Sequence, residues 1–281
     1  MPILGLLPGL IWLAYSRWKN GYQPGSFEHM LRVFVWGCAC TIPSFFVEQI
    51  SGAMLRSESL PHAAISSFFL IAPSEEFFKL VAVWIAIYRS RHFREPLDGI
   101  IYAATAALGF ACIENVMYMA ELGGQSFVSR ALYATPAHVL FSSMWGYSMG
   151  LARFKRDGEF LIICKGFLLA SGLHGIYNFL VAVYPKAAMV SLLPLMVFMA
   201  WLAYRKIQDF RTNYPFPPLG RGVLVCCPDC GAYELERSEE CSRCGSVIPV
   251  LDPDAPRFCS YCRTQVDPSA RACSRCGRLL S

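Results

Sequence analysis

HAAISSFFLIAPSEEFFKLVAVWIAIY, residues 62–88, is a membrane-length apolar run with Glu75, Glu76 and Lys79 at its middle. About 20 apolar residues span a bilayer as a helix. A charge near the centre of such a helix costs roughly 2.5–3.5 kcal/mol even on a lenient scale. Three charges in one run are therefore expected to be paired and used together. Comparable runs lie at 31–50, 99–120, 131–152, 160–183 and 187–204, with a shorter one at 3–15. Three of these repeat the anomaly, through Glu114 and Asn115, through His138, and through His174. Of the 281 residues, 55% are hydrophobic and only 16% charged, which excludes an ordinary soluble enzyme of this length. The expected fold class is an all-α polytopic membrane protein of about seven transmembrane helices, followed by a small C-terminal tandem zinc-ribbon domain.

Loop charge sets the expected orientation. Arg17, Lys19 and Arg32 follow the first run, Arg89, Arg91 and Arg94 the third, Arg153, Lys155 and Arg156 the fifth, and Arg205, Lys206 and Arg211 the seventh. The alternate connections hold little beyond Arg56, Arg130 and Lys186. By the positive-inside rule the N-terminus is outside and the C-terminus cytoplasmic. The net charge of +5 then records topology.

Composition changes after residue 210. The expected division is a transmembrane domain over 1–208, a proline-rich linker over 209–221, and zinc ribbons over 222–250 and 251–281. Nine of the thirteen cysteines fall in this tail. Cys227-x2-Cys230-x10-Cys241-x2-Cys244 recurs as Cys259-x2-Cys262-x10-Cys273-x2-Cys276, offset by 32 positions. Paired C-x2-C knuckles present four thiolates tetrahedrally, as structural Zn²⁺ requires, so two structural zinc ions are expected. Disulfides are the rival; a cytoplasmic, reducing location argues against them. From Arg221 onward eight arginines face eight acidic residues with no lysine. A nucleic-acid module is basic, so nucleic acid is not the expected partner. A protein partner, or the membrane domain itself, is.

Whether the intramembrane polar residues meet is a question of depth. At 1.5 Å per helical residue, Glu75, Glu76, Glu114, His138 and His174 all fall about 10–20 Å from the outer surface. Glu75 and Glu76 point about 100° apart and cannot do the same work. Lys79 is one turn from both and can pair with either, leaving the other carboxylate to face the cavity. Ser142 and Asn178 lie one turn beyond His138 and His174, where they are placed to orient the rings; plain helix packing explains them equally well. Pro73 and Pro136 each precede a site residue by two, and proline in a membrane helix frees carbonyls that only protein or a wet cavity can satisfy.

Glu75-Glu76-Phe-Phe-Lys79, Phe110-Ala-Cys-Ile-Glu114-Asn115, His138-Val-Leu-Phe-Ser142 and His174-Gly-Ile-Tyr-Asn178 resemble the EExxK, FxxxEN, HxxxS and HxxxN signatures of PrsW-type intramembrane proteases. These are relatives of the CAAX-processing and bacteriocin-immunity membrane proteases, and the resemblance covers about residues 1–205. It implies proteolysis of a membrane-anchored protein substrate, of anti-sigma-factor type, in a prokaryotic cell membrane embedded in lipid. It also implies that Glu75 and Glu76 activate water, that Glu114, His138 and His174 complete the catalytic site, and that Lys79, Asn115, Ser142 and Asn178 support it. The tandem ribbons lie outside the family's core pattern.

Two mechanisms are open at this point. In one, a glutamate activates water and the histidines stabilise the oxyanion. In the other, His138, His174 and a carboxylate hold an additional Zn²⁺. The lack of an H-E-x-x-H helix tilts the sequence towards the first. An ion-coupled transporter and a non-catalytic scaffold presenting partners to the ribbons are the rivals from other classes. The transporter predicts inverted repeats, which the sequence lacks; the scaffold has no need of every motif residue.

Overall fold

A computed structural model describes residues 2–19, 26–54, 59–90, 92–93, 96–154, 158–185 and 187–213 of the membrane-type region. In the tail it describes 223–230, 233–235, 238–241, 244–248, 257–259, 265–267, 269–271 and 274. Every apolar run is helical. The α-helices are α1 (Leu6–Lys19), α2 (Ser26–Met54), α3 (Leu60–Ile65), α4 (Ala72–Val83), α5 (Pro96–Leu122), α6 (Phe127–Ser129), α7 (Thr135–Phe154), α8 (Glu159–Val183) and α9 (Ala188–Asn213).

Four helices are long and apolar enough to cross a membrane: Phe27–Ile50, Pro96–Leu122, Glu159–Val183 and Val190–Asp209. This is a mostly helical membrane protein. The other three expected spans fall short for physical reasons. The first apolar helix, Pro2–Ala14, is short. Run 62–88 carries the Glu75, Glu76 and Lys79 charges, and 131–152 carries Thr135, His138 and three serines. These last two stretches are polar because they build the site.

Wide π-helical turns, Ser66–Ile71 and Arg130–Ala134, lead into α4 and α7. Pro73 is the second residue of α4 and Pro136 the second of α7. Proline has no N–H to give and its ring crowds the carbonyl four residues back, so a helix entering it widens. The Ser74 hydroxyl donates to the Ile71 carbonyl at 2.8 Å in the same turn. Both turns therefore sit just ahead of a site motif.

Helix α5 runs through the centre, packed on α1, α2 and α7, and α7 in turn packs on α8 and α9. Close approach of α5 to α7 requires glycine. A Cβ on Gly99 would lie 2.2 Å from the Gly146 carbonyl oxygen, and one on Gly146 2.6 Å from that of Gly99. Small residues drive such contacts because lipid tails are as apolar as leucine and only tight packing favours helix over lipid. Large apolar side chains such as Phe69, Phe160 and Val190 point outward, while Glu76, Lys79, Thr105 and Ser142 are buried. Polar inside and apolar outside is the arrangement a bilayer selects.

The tail forms one antiparallel sheet in the order β2-β1-β3-β4, from β1 (Val223–Cys226), β2 (Tyr233–Leu235), β3 (Arg257–Cys259) and β4 (Gln265–Val266). β1 pairs with β2 inside the first cysteine repeat and with β3 of the second, Val223 opposite Cys259 and Leu224 opposite Phe258. Residues 209–213 of the expected linker belong to α9, and its residues 214–221 lie outside the described residues.

Candidate active site

Four helices supply the site. Glu75, Glu76 and Lys79 come from α4, Glu114 and Asn115 from α5, His138 and Ser142 from α7, and His174 from α8. Glu76 is fully buried. Its Oε1 accepts from Lys79 Nζ at 2.8 Å and His174 Nδ1 at 3.0 Å; its Oε2 accepts from Ser142 Oγ at 2.9 Å and Trp145 Nε1 at 2.8 Å. Four donors occupy a carboxylate's four lone-pair positions. Glu75 is different: the hydrogen bond it accepts, from Lys79 at 3.4 Å, is long, and it lines a cavity of about 550 Å³ between α2 and α5 together with Glu114. Neighbours in sequence thus face opposite environments, as their 100° separation requires.

The imidazoles are oriented by carboxylates. His138 Nε2 lies 2.7 Å from Glu114 Oε2, and an ionised carboxylate only accepts, so Nε2 carries the proton. Nδ1 of His138 is then an acceptor, and Lys79 Nζ donates to it at 2.9 Å. His174 is the mirror case, with Nδ1 held by Glu76 and Nε2 left as the acceptor. Both acceptor nitrogens, His138 Nδ1 and His174 Nε2, lie 3.8 Å from Glu75 Oε2. Phe141 stacks on the His174 ring at 4.4 Å between centroids, and Phe110 places its face 4.2 Å from Lys79 Nζ.

These three atoms could hold a divalent metal once Lys79 Nζ gives up its contact with His138 Nδ1. Glu75, His138 and His174 are all buried and their ligand atoms lie within 4.8 Å of one another. A carboxylate on the far nitrogen of each metal-binding histidine is the usual support of such ligands. Charge agrees: three carboxylates, Glu75, Glu76 and Glu114, are opposed by Lys79 and Arg130, so with neutral imidazoles one negative charge is left over. A buried unpaired charge is costly, and a proton or a cation offsets it. The Glu75-His138-His174 set is the group among the membrane helices that could take the cation.

Sequence reasoning missed Arg130 and Trp145. Arg130, at the start of the wide turn before α7, binds Glu114 Oε2 at 2.7 Å and Asn115 Oδ1 at 2.5 Å and stacks 4.0 Å over Tyr118. Nothing in the sequence distinguishes it from a connecting-loop arginine. Trp145 carried a signal: His138, Ser142 and Trp145 follow an i, i+4, i+7 stripe on one helix face. Ser142 serves Glu76 and not the His138 ring. Asn115 donates to Thr135 Oγ1 at 3.0 Å and, weakly, to the Gly5 carbonyl at 3.4 Å. Asn178 is half-buried and joins no hydrogen bond of this network among the described residues. Glu48 of α2 lines the same cavity.

In the tail, Cys227, Cys230, Cys241 and Cys244 gather their sulfurs within 4.8 Å, so the first repeat closes on itself. Gly245, at φ +73°, turns the second knuckle, and its N–H binds the Cys241 carbonyl at 2.9 Å. Hydrogen bonding to Ser246, the side chain first, lowers the Cys244 thiol to about 6. Cys259 sits on β3 with its side chain undescribed, and Cys262, Cys273 and Cys276 lie outside the described residues.

Comparison with known proteins gives two family matches. Residues 25–204 match the model of the PrsW family intramembrane metalloprotease, and residues 227–277 match the double zinc ribbon. Among curated proteins, Protease PrsW of Geobacillus kaustophilus is 32% identical over 206 residues, 73% of this chain and 89% of the relative. Protease PrsW of Bacillus subtilis is 30% identical over 210 residues, 74% and 94%. That of Clostridioides difficile is 27% identical over 219 residues, 75% and 91%. No solved structure matches the chain.

Proposed function

Because the chain belongs to the PrsW family of intramembrane proteases, and is thereby a protease with a protein substrate, we propose that it cuts a membrane-anchored protein at the Glu75, Glu76, Glu114, His138 and His174 cluster. One observation carries this assignment. Each imidazole is fixed on one nitrogen by a carboxylate and turns the other toward Glu75, the carboxylate that opens on the cavity.

Glu75 is the water-facing group. It accepts the proton of the attacking water and returns it to the leaving amine, a general-base and then general-acid role. Glu76 does not meet water. It anchors Lys79 and His174, with Ser142 and Trp145 closing its remaining positions. Glu114, held by Arg130, fixes the His138 tautomer. Asn115 ties that arm to the wide turn, while Asn178 supports the α8 face. With a Zn²⁺ present, Glu75 would be a ligand beside His138 and His174 instead of the free base, and the ion would supply Lewis-acid polarisation of the scissile carbonyl and a more acidic water.

The substrate class is a membrane-anchored regulator of anti-sigma-factor type, cut near the outer face of a prokaryotic cell membrane that the chain crosses about seven times, N-terminus outside. The ribbons, in the cytoplasm, each hold one Zn²⁺ and bind a protein partner. Metal content of detergent-purified protein tests the site directly: about three zinc per full chain and one in a truncation ending near residue 212. Two and none, with cleavage retained, exclude the membrane-site metal. Cleavage surviving in Glu75→Gln refutes the site itself.

A further inference from the structure

The cavity that reaches Glu75 carries a second message, at its other end. Helices α2 and α5 run parallel in constant register: Gly37 lies against Ala106, and the Thr41 hydroxyl reaches the Phe110 carbonyl at 3.5 Å. Below that level the backbones touch. A Cβ on Gly37 would stand 2.2 Å from the Ala106 carbonyl oxygen, and one on Gly109 2.1 Å from that of Phe34. Above it the helices part around the cavity of about 550 Å³. Pro43 lies inside α2 at this point, and an interior proline breaks one backbone bond and bends a helix. Contact through glycine followed by separation after proline makes a wedge-shaped opening that ends at the reacting groups.

Its lining is polar where a lipid-facing seam would be apolar. Thr41, Ser44 and Glu48 follow one stripe of α2, and Glu114 and Glu121 follow one stripe of α5. Ser44 is 97% buried (3% exposed), lines the cavity, and has no hydrogen-bond partner among the described residues. Its hydroxyl is open to the cavity alone, where a ligand can supply the missing partner. Continuing the register sets Glu48 level with Met117, between Glu114 and Glu121. Arg130 is committed to Glu114 and Asn115. Neither Glu48 nor Glu121 has an ion pair among the described residues.

We propose that this cleft seats an extended substrate segment and selects a Lys or Arg in it, held between Glu48 and Glu121 while Ser44 bonds the segment's backbone. From Glu114 to Glu121 the helix rises about 10 Å, which an extended chain covers in about three residues. The basic residue therefore falls within about three positions of the bond that is cut. This rests on the protease site proposed above.

The probe is a synthetic single-span Leu/Ala peptide flanked by either Lys or Gln, offered to the full chain in nanodiscs of zwitterionic lipid. Wild type is expected to bind the Lys form about tenfold more tightly, the effect of two partly exposed pairs. Glu48→Gln/Glu121→Gln is expected to bind both forms alike, and Glu48→Lys/Glu121→Lys to prefer a Glu-flanked peptide, each with unchanged helical content. Equal binding by wild type, or a Lys preference that survives in the double Gln variant, overturns the proposal. Glu75→Gln separates the two ideas: it should keep the Lys preference and lose cleavage. If it still cuts, the protease site is wrong while the charge preference stands.

Discussion

Among the described residues, two clusters of side chains could hold a metal, and they are built by opposite means. The tail cluster draws Cys227, Cys230, Cys241 and Cys244 from one short stretch. The membrane cluster draws Glu75, His138 and His174 from three helices about a hundred residues apart in total. In the first, a metal must impose the geometry, because so short a segment buries too little apolar surface to fold alone. In the second, packing imposes the geometry, through proline-led turns, glycine contacts and carboxylate-held rings. The same ligand logic can therefore rest on the ion or on the fold.

The largest effect that sharpens this contrast is loss of zinc from the tail. Cys230→Ser removes a ligand from a site whose binding energy is about 10–16 kcal/mol in comparable domains. Zinc per chain is expected to fall by one and the β1–β2 amide protection to vanish, while α-helical content and the thermal midpoint of the membrane region stay. A collapse of both regions would break the comparison.

Next in size is Glu76→Ala. It strips four buried donors of their carboxylate and leaves Lys79 with one distant counter-charge, at a cost of about 3–5 kcal/mol. Thermal melting in detergent should show it. Glu75→Gln is expected to leave that midpoint nearly unchanged and abolish cleavage, because Glu75 has few bonds to lose. Equal midpoints for the two variants would mean that the adjacent glutamates are equivalent after all.

Arg130→Met is smaller. It deprives Glu114 and Asn115 of a partly buried partner, about 1–3 kcal/mol, and should release the His138 ring, readable as a changed imidazole NMR signal. Smallest is Arg89→Ala, at the exposed Arg89–Glu159 pair, where a shift within about 1 kcal/mol is expected.

Acidity offers one more handle on the tail. The Cys244 thiol is lowered to about 6 from 9.0, so its thiolate is favoured by the fold relative to the open chain. That preference is complete above the unfolded value and fades as pH falls through about 6. Zinc retention by the first ribbon, followed with a chromogenic chelator, should therefore weaken on acidification across that value. Retention that is flat between pH 7 and pH 5 would contradict it.

Much of this was legible in the sequence, for identifiable reasons. Helical rise converts position into depth, so Glu75, Glu114, His138 and His174 could be set at one level before any packing was known. The angular step between neighbours told Glu75 from Glu76 and gave Lys79 its partners. The repeat offset announced the first cysteine cluster. What escaped was whatever depends on a distant element with no periodic mark. Arg130 looked like loop charge until the wide turn carried it to Glu114. Ser142, expected to orient His138, instead completes Glu76, because side-chain reach across helices outranks neighbourhood along one. Span count was legible only in part, since the stretches that build a polar site look least like lipid-facing helices.

The ion pairs of the membrane region have a consequence for how the chain is made. Glu75 and Glu76 find Lys79 within one turn of the same helix, and Glu114 finds Arg130 only sixteen positions later in the chain. The two segments that carry the site carboxylates thus leave the ribosome with a counter-ion nearby, which lowers the cost of their release into lipid. His174, which arrives last and on a helix of its own, meets a scaffold whose carboxylates are already paired but for one charge. Biogenesis is in this sense ordered by the chain itself: the charges are silenced locally, and only then is the chemistry assembled.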